Sequence, residues 1–237
     1  MKKVTKAVVA LMLTVAVVLF TTGCKKDYAE GDGTISGHTY VDLDLPSGTL
    51  WAACNVGANT PESYGDYFAW GETKPKNSYS WSTYKYANGT SWKDPQLTKY
   101  CNNSGYGYNG FIDNLTALLP GDDATTANWG SGWRMPTRAE WQELLDNTTS
   151  VSTTQNGVIG VLFTAANGNS LFLPAAGYRG GKSETSLDLV GEEGYYLSSS
   201  LRVDRPEYIW SLDIFDHYIS YSARDLGHSI RPVHSAQ

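Results

Sequence analysis

Cysteine and histidine are scarce in this chain, which has three cysteines and four histidines among its 237 residues. Disulfide-held secreted scaffolds are dense in cysteine, and zinc fingers space their Cys and His ligands at short, regular intervals. Neither pattern is present, because Cys24, Cys54 and Cys101 lie far apart and the histidines are scattered. The sequence therefore argues against both classes, and we expect no cofactor.

Positive charge is also scarce. The 18 Lys and Arg residues are outnumbered by 24 Asp and Glu residues, which leaves a net charge of −6. No stretch gathers the basic side chains that neutralise phosphates, so the composition argues against nucleic acid as a partner. The sequence also has no nucleophile elbow, no P-loop and no His-Glu-x-x-His zinc motif.

Only one long apolar run occurs, over residues 7–20. Its 14 residues are too few to span a hydrocarbon core, which needs about 20 residues in a helix. Lys2, Lys3 and Lys6 precede the run, and this order of charge and apolar residues is typical of a signal peptide.

The sequence TTGC at residues 21–24 resembles a lipobox, in which Cys24 is acylated and the chain is cleaved before it. The alternative is a plain secretory signal followed by an incidental cysteine. We predict a signal peptide over residues 1–23, a lipidated Cys24 with a polar linker over 24–34, and one domain over 35–237. Several acyl chains hold a protein stably at a bilayer, so we expect the membrane to be a partner and the location to be the outer membrane or cell surface. Cleavage would remove three lysines and no acid, which gives a mature charge of about −9.

Export leaves two alternatives for Cys54 and Cys101. An oxidising compartment permits a disulfide between them, and two buried free thiols are equally compatible with their spacing.

Alternation of apolar and polar residues predicts two hairpins. One joins residues 38–45 to 49–52 through a Pro-Ser-Gly turn, and the other joins 158–165 to 170–174 around an Asn-Gly turn. Further strands are predicted at residues 195–199, 208–215, 218–222 and 229–233.

Residues 57–110 lack sustained periodicity but are rich in Tyr, Trp, Gly, Asn and Ser. We expect long ordered loops packed by aromatic rings, since disordered segments are poor in such rings. The predicted fold class is therefore α+β, mostly short antiparallel strands with long loops and one or two helices.

Two helices are predicted. Residues 122–130 have an acidic start and a glycine stop. Thr137 and Glu140 form a capping box at the start of the second helix, and Trp141, Leu144 and Leu145 give it a buried face. Because Glu140 has this capping role, we interpret it as structural and not as catalytic.

Four blocks in order carry a family resemblance: LPSGTLWA (45–52), YFAWGE (67–72), GWRMPTRAEW (132–141) and GHSIRPV (227–233). Together they resemble the Fibrobacter succinogenes major paralogous domain of Bacteroidetes lipoproteins. The RMPT block is more distantly similar to the sulfatase-modifying, formylglycine-generating family. The resemblance implies a C-type-lectin-like fold with its two termini close together.

An enzymatic function is not carried over from that resemblance. Formylglycine-generating enzymes hold copper with a late pair of cysteines, and this chain has no cysteine after Cys101. Adjacent acids at Asp122 and Asp123 diverge along a helix or strand and do not converge on a substrate. A structural calcium ion at Asp113, Asp122 or Asp123 is conceivable, although no EF-hand spacing supports it.

A binding function is indicated by residues 195–226, where tyrosine, arginine and charged residues are concentrated. Tyr, Trp and Arg dominate recognition surfaces. Trp210 is interpreted as core with Leu212 and Ile214, in preference to a ligand contact. The resemblance also implies that a binding site would lie in this stretch, because the corresponding stretch is the ligand-binding face of diversified C-type-lectin-like proteins. The candidate ligand-binding residues are Arg202, Arg205, Tyr208, Asp213, Asp216, His217, Tyr218, Tyr221 and Arg224.

The sequence thus predicts a membrane-anchored, exported lipoprotein whose lectin-like domain binds a glycan or protein without catalysis. Two alternatives stay open: a divergent enzyme of the sulfatase-modifying type, and a structural component of a surface appendage.

Overall fold

A computed structural model describes residues 32–235 of the chain. The predicted signal peptide and the lipidation site Cys24 lie outside these residues. Within them the helices are α1 (Ala124–Trp129) and α2 (Arg138–Asn147). The strands are β1 (Gly33–Ile35), β2 (His38–Asp42), β3 (Leu50–Ala52), β4 (Trp133–Arg134), β5 (Thr148–Gln155), β6 (Val158–Ala165), β7 (Ser170–Pro174), β8 (Tyr178–Arg179), β9 (Leu187–Asp188), β10 (Tyr195–Leu201), β11 (Tyr208–Asp213), β12 (Tyr218–Ala223) and β13 (Val233–His234).

Both ends of the described chain lie in one antiparallel sheet, in the order β1-β2-β3-β13-β4. The predicted first hairpin is confirmed, because Val41 of β2 pairs with Trp51 of β3. Val233 pairs with the same Trp51 from the other side. The predicted strand at 229–233 is wrong over most of its length, since β13 begins at Val233. Pro232 directly before it has no N–H to donate to a ladder.

A second sheet has the order β5-β6-β7. The β6–β7 hairpin was predicted, and β5 was not. β5 reads TTSVSTTQ, so it lacks the apolar alternation on which strand prediction relies. Its β-branched threonines nevertheless suit an extended strand with one exposed face.

The two helices were both predicted, and their caps explain where they begin. Asp123 accepts hydrogen bonds from the backbone N–H groups of Thr125 and Thr126 at the start of α1. The predicted capping box of α2 is confirmed, with Thr137 and Glu140 each accepting from the other's backbone N–H.

The third sheet, β10-β11-β12, carries residues on two faces that alternate along each strand. One face packs against α2: the Trp141 ring lies 6.1 Å from the Tyr196 ring. We call it the helix face, and it bears Tyr196, Trp210, Leu212, Ile219 and Tyr221. The opposite side, the loop face, bears Tyr195, Leu197, Ile209, Ser211, Ser220 and Ser222.

The loop face packs against the long segment 57–110, whose prediction as ordered aromatic loops is confirmed. Trp70 and Tyr100 from this segment share a buried cluster with Leu197 and Ile209. The Trp70 indole donates to the Ser198 carbonyl at 2.9 Å, which ties the segment to β10. The described chain is therefore an α+β fold dominated by antiparallel strands, as expected.

Candidate functional site

The first turn of α2 lies over the helix face of the third sheet. Thr137 fixes the start of the helix, because its hydroxyl accepts from the Glu140 N–H at 3.2 Å. The next residue, Arg138, is exposed, and its guanidinium carbon lies 3.9 Å from the centroid of the Trp210 ring. The helix cap thus positions an arginine directly on Trp210.

Two further arginines stack on aromatic rings of the same face. The guanidinium carbon of Arg202 lies 4.1 Å from the Tyr221 centroid and 5.6 Å from the Trp210 centroid. Arg205 lies 5.2 Å from the Tyr208 centroid, and the rings of Tyr208 and Tyr221 meet edge-on at 5.2 Å. Such cation–π contacts hold the guanidinium groups in place. We call this set the arginine–aromatic surface: Arg138, Arg202, Arg205, Tyr208, Trp210 and Tyr221.

A groove of about 640 Å³ opens beside Trp210, a volume within the range that small-molecule sites occupy. Its walls mix hydroxyl, amide and apolar groups with one guanidinium. The lining residues are Thr116, Thr137, Arg138, Ala139, Gln142, Ser200, Leu201, Val203 and Trp210.

The three arginines of this surface differ in how their charge is compensated. Arg202 forms an ion pair with Asp204 at 3.0 Å, and Arg205 forms one with Glu207 at 2.6 Å. Arg138 has no carboxylate within 4.0 Å among residues 32–235. The groove therefore carries one uncompensated positive charge, at Arg138.

Four of the nine predicted ligand-binding residues meet on this surface: Arg202, Arg205, Tyr208 and Tyr221. Sequence reasoning missed Arg138, which was interpreted only as part of a helix-capping block. It also placed Trp210 in the core. Leu212 and Ile214 are indeed fully buried, but Trp210 is only partly buried and lines the groove.

Three other candidates lie at the opposite end of β11 and β12, in or next to the turn that joins them. Asp216, His217 and Tyr218 are exposed there. The His217 ring lies 3.2 Å from the Ser150 hydroxyl, measured from Nδ1. The structure does not bring these residues to the groove.

Asp213, another of the predicted ligand-binding residues, is buried and does not line the groove. Its Oδ1 accepts hydrogen bonds from the backbone N–H groups of Phe215 and Asp216, at 3.1 and 3.2 Å. Asp213 thus stabilises the turn after β11, as Asp side chains commonly do.

Arg224 is also misplaced by the sequence analysis, which expected it at the surface. The side chain is fully buried. Its guanidinium donates to the Tyr84 hydroxyl at 2.9 Å and to three backbone carbonyls, those of Lys99, Tyr100 and Pro206. We call Arg224, Trp70, Tyr84 and Tyr100 the Arg224 cluster, because the guanidinium also lies against these three rings.

Cys54 and Cys101 are not bonded to each other in the structure. Cys101 is buried in the cluster beneath the loop face, and its thiol donates to the Asn103 carbonyl at 3.1 Å. Cys54 packs against the other hydrophobic cluster. Burial raises the pKa of both thiols, so they stay protonated near neutral pH.

The three acids considered for calcium have other hydrogen-bond partners. Asp113 accepts from the N–H groups of Tyr100 and Cys101, and Asp123 caps α1. Burial alone would raise the pKa of Asp122, but hydrogen bonds from Lys99, Tyr100 and Tyr86 outweigh it and hold that pKa far below its usual range. Within residues 32–235 no three His, Cys, Asp or Glu side chains converge as metal ligands.

No protein-family model, curated protein or solved structure matches this chain. Over the same range of residues, neither helix has the length and apolar character needed to cross a bilayer.

Proposed function

We propose that the chain is a lipid-anchored exported protein whose domain binds an acidic glycan through the arginine–aromatic surface, without catalysis. The observation that carries the proposal is the Trp210 ring, which lies beneath Arg138 at the wall of a groove of about 640 Å³. An aromatic ring offers the apolar face on which a sugar ring can stack, and Arg138 offers donors to a carboxylate or sulfate.

The position of Arg138 supports a role outside folding. It is the first residue of α2, where the helix dipole disfavours a positive charge. Neither an ion pair nor a side-chain hydrogen bond among residues 32–235 compensates for that position. Stacking on Trp210 holds the guanidinium in place, and its N–H groups stay available to an anionic partner.

An acidic glycan suits the remaining walls of the groove. Thr116, Thr137, Gln142 and Ser200 supply neutral donors and acceptors, while Leu201 and Val203 supply apolar surface. Sites that bind polar rings combine a few oriented hydrogen-bonding groups with apolar walls in this manner.

We also propose the finer fold and family, a C-type-lectin-like domain of the Fibrobacter succinogenes major paralogous type. Three features support it: both ends of the described chain lie in one sheet, helices are few, and the long segment 57–110 is ordered by aromatic packing.

The test of binding uses the full chain purified in detergent on an array of acidic and neutral glycans. Trp210→Ala and Arg138→Ala should each weaken binding of an acidic glycan about tenfold or more, the effect expected for a central aromatic or arginine anchor. Added salt should weaken it further, because the guanidinium is exposed.

Trp92 and Lys93 provide a matched control. Trp92 is 47% exposed, and the Lys93 amine lies 5.4 Å from its ring, so this pair also places a cation near an indole, outside the groove. Trp92→Ala and Lys93→Ala should leave binding unchanged. Equal losses in both pairs of variants, or turnover of a bound glycan, would contradict the proposal.

The anchoring half of the proposal is tested at Cys24. Cys24→Ser removes the thiol that would be acylated, so the protein should move from the membrane fraction to the soluble fraction. Mass spectrometry of the wild-type N-terminal peptide should find acyl chains on Cys24. An unmodified Cys24 in a protein that is still exported would support the plain secretory signal instead.

A further inference from the structure

A second concavity, of about 260 Å³, lies on the loop face of the third sheet. It shares no lining residue with the groove, although Tyr221 of the arginine–aromatic surface contributes to it. The lining residues are Tyr178, Leu189, Tyr195, Ser220, Tyr221, Ser222, Leu226 and His228. We call it the His228 pocket.

His228 is the polar centre of this pocket, and it is 1% exposed. Its Nε2 lies 2.7 Å from the Ser222 hydroxyl oxygen. Its Nδ1 has no hydrogen-bond partner among residues 32–235. A buried polar atom without a partner is unusual, so this nitrogen indicates a place for a ligand atom.

The chemistry of the unpartnered nitrogen favours a hydroxyl group. If Ser222 donates to Nε2, then Nδ1 carries a proton and needs an acceptor. If Nε2 donates to Ser222, then Nδ1 has a free lone pair and needs a donor. A hydroxyl can satisfy either tautomer, because it is both a donor and an acceptor.

The walls of the pocket are neutral. None of the eight lining residues is Asp, Glu, Lys or Arg. Burial lowers the pKa of His228 to about 3, so the imidazole is uncharged at physiological pH. Burial, with Asp213 nearby, raises the pKa of Tyr195 to about 12, so its phenol stays protonated. Among the eight lining residues a charged ligand would find no counter-charge to replace its lost hydration.

Aromatic rings border the imidazole on two sides. The Tyr178 centroid lies 5.9 Å from the His228 centroid, and the Tyr195 centroid lies 6.1 Å from it. Both tyrosines are half-buried, so part of each ring is open to the pocket. Aromatic faces beside hydroxyl and imidazole groups suit a compact ring with hydroxyls at its edge.

We propose that the His228 pocket binds one neutral sugar ring, with a sugar hydroxyl on the free nitrogen of His228. This site goes beyond the acidic-glycan surface, since it lies on the other face of the sheet. Its lining residues are uncharged, so it favours a neutral ligand, whereas the groove favours an acidic one. Catalysis by Ser222 and His228 is not part of the proposal, because no acid in the described part of the chain hydrogen-bonds to the imidazole.

The test follows the four histidine rings of the ¹⁵N-labelled full chain in detergent by long-range ¹H–¹⁵N spectra. Neutral monosaccharides (glucose, galactose, mannose and N-acetylglucosamine) are titrated, and His38, His217 and His234 serve as internal references. At least one sugar should shift the His228 nitrogens saturably while the other three rings stay unchanged. Glucuronate and glucosamine, which replace one hydroxyl-bearing group of glucose by a charged group, should bind about tenfold more weakly than glucose or not at all.

Ser220→Leu places a larger side chain in the pocket and leaves His228 itself unchanged. Ser220 is a lining residue that lies on the edge strand β12 and is only partly buried. Ser220→Leu should abolish the shift, while Ser152→Leu on the edge strand β5 should not. Trp210→Ala should keep the His228 shift, so failure of the groove proposal is distinguishable from failure of this one.

Three results would overturn the inference. The first is that none of the neutral sugars shifts His228. The second is that Ser220→Leu still binds as the wild type does, although an unchanged thermal transition shows that the variant is folded. The third is that glucuronate or glucosamine binds as well as its neutral counterpart.

Discussion

Arginines on the two sides of the third sheet are held in different ways. On the helix face, Arg202 and Arg205 pair with the carboxylates of Asp204 and Glu207, each two residues further along the chain. On the other side, Arg224 is fully buried and bonds to three backbone carbonyls and one phenol. The two ion pairs link residues that are close in the chain, whereas the Arg224 contacts join distant parts of it.

The difference also affects neighbouring acids. The side chain next to Arg224 is Asp225, which is buried, yet the two form no ion pair, and Asp225 Oδ1 has no partner among the described residues. The four acceptors of the buried guanidinium are neutral, and the neighbouring carboxylate is not one of them. Removing the buried arginine, the unpaired acid and the partly buried Arg202 should have three distinct effects on stability.

The largest effect is expected for Arg224→Met. Methionine fills much of the volume but leaves the carbonyls of Lys99, Tyr100 and Pro206 and the Tyr84 hydroxyl without their donor. Each buried unpaired group costs about 1–3 kcal/mol, and we expect a total loss of about 3–5 kcal/mol in the free energy of unfolding. Urea denaturation of the full chain measures it.

Arg224→Lys separates charge from geometry in this experiment. Lysine keeps the charge but cannot reach four acceptors with a planar fork, so it should lose nearly as much stability as methionine. A lysine variant as stable as the wild type would show that charge alone matters and would contradict our account of the Arg224 cluster.

Arg224 also shows where prediction from the sequence fails. Charged side chains are rarely buried, so a surface position was the reasonable expectation. Its true partners are carbonyls of residues 99, 100 and 206, and no local pattern reveals that these meet. The contact of Arg138 with Trp210 was not predicted for the same reason, because Trp210 lies 72 residues further along the chain.

Local patterns predicted the fold better than the site. Both helices, the β2–β3 and β6–β7 hairpins and strands β10 to β12 were identified, because caps, turns and alternation act within a few residues. β5 was missed because its polar sequence carries no alternation. The His228 pocket was not foreseen either, since it depends on which face of β12 meets the β8–β9 hairpin and the segment after Arg224.

The second prediction concerns Asp225. Burial raises the pKa of Asp225 to about 6, above the value of an exposed aspartate. Between that ordinary value, about 4, and 6 the native state binds more protons than the unfolded state, so this carboxyl makes stability fall as pH rises through that window. Asp225→Asn removes the charge and should add about 2–3 kcal/mol at pH 7.5. Below about pH 4 the gain should disappear, because both forms are then neutral.

Denaturation of the wild type and Asp225→Asn at pH 4, 6 and 7.5 checks this prediction. Asp204→Asn is the matched control, since Asp204 is exposed and paired with Arg202. A gain from Asp225→Asn that does not change with pH would contradict the titration argument.

The smallest effect is expected for Arg202→Met. Its partner Asp204 has a side chain that is 61% exposed, and exposed ion pairs of this kind contribute little because water screens them. Methionine can keep most of the packing on Tyr221, so we expect a loss below about 1 kcal/mol by urea denaturation. Binding of an acidic glycan should nevertheless weaken, since a cation beside Trp210 is lost. A loss of stability as large as that of Arg224→Met would mean that Arg202 also crosslinks the fold, and the distinction between the two sides of the sheet would then be wrong.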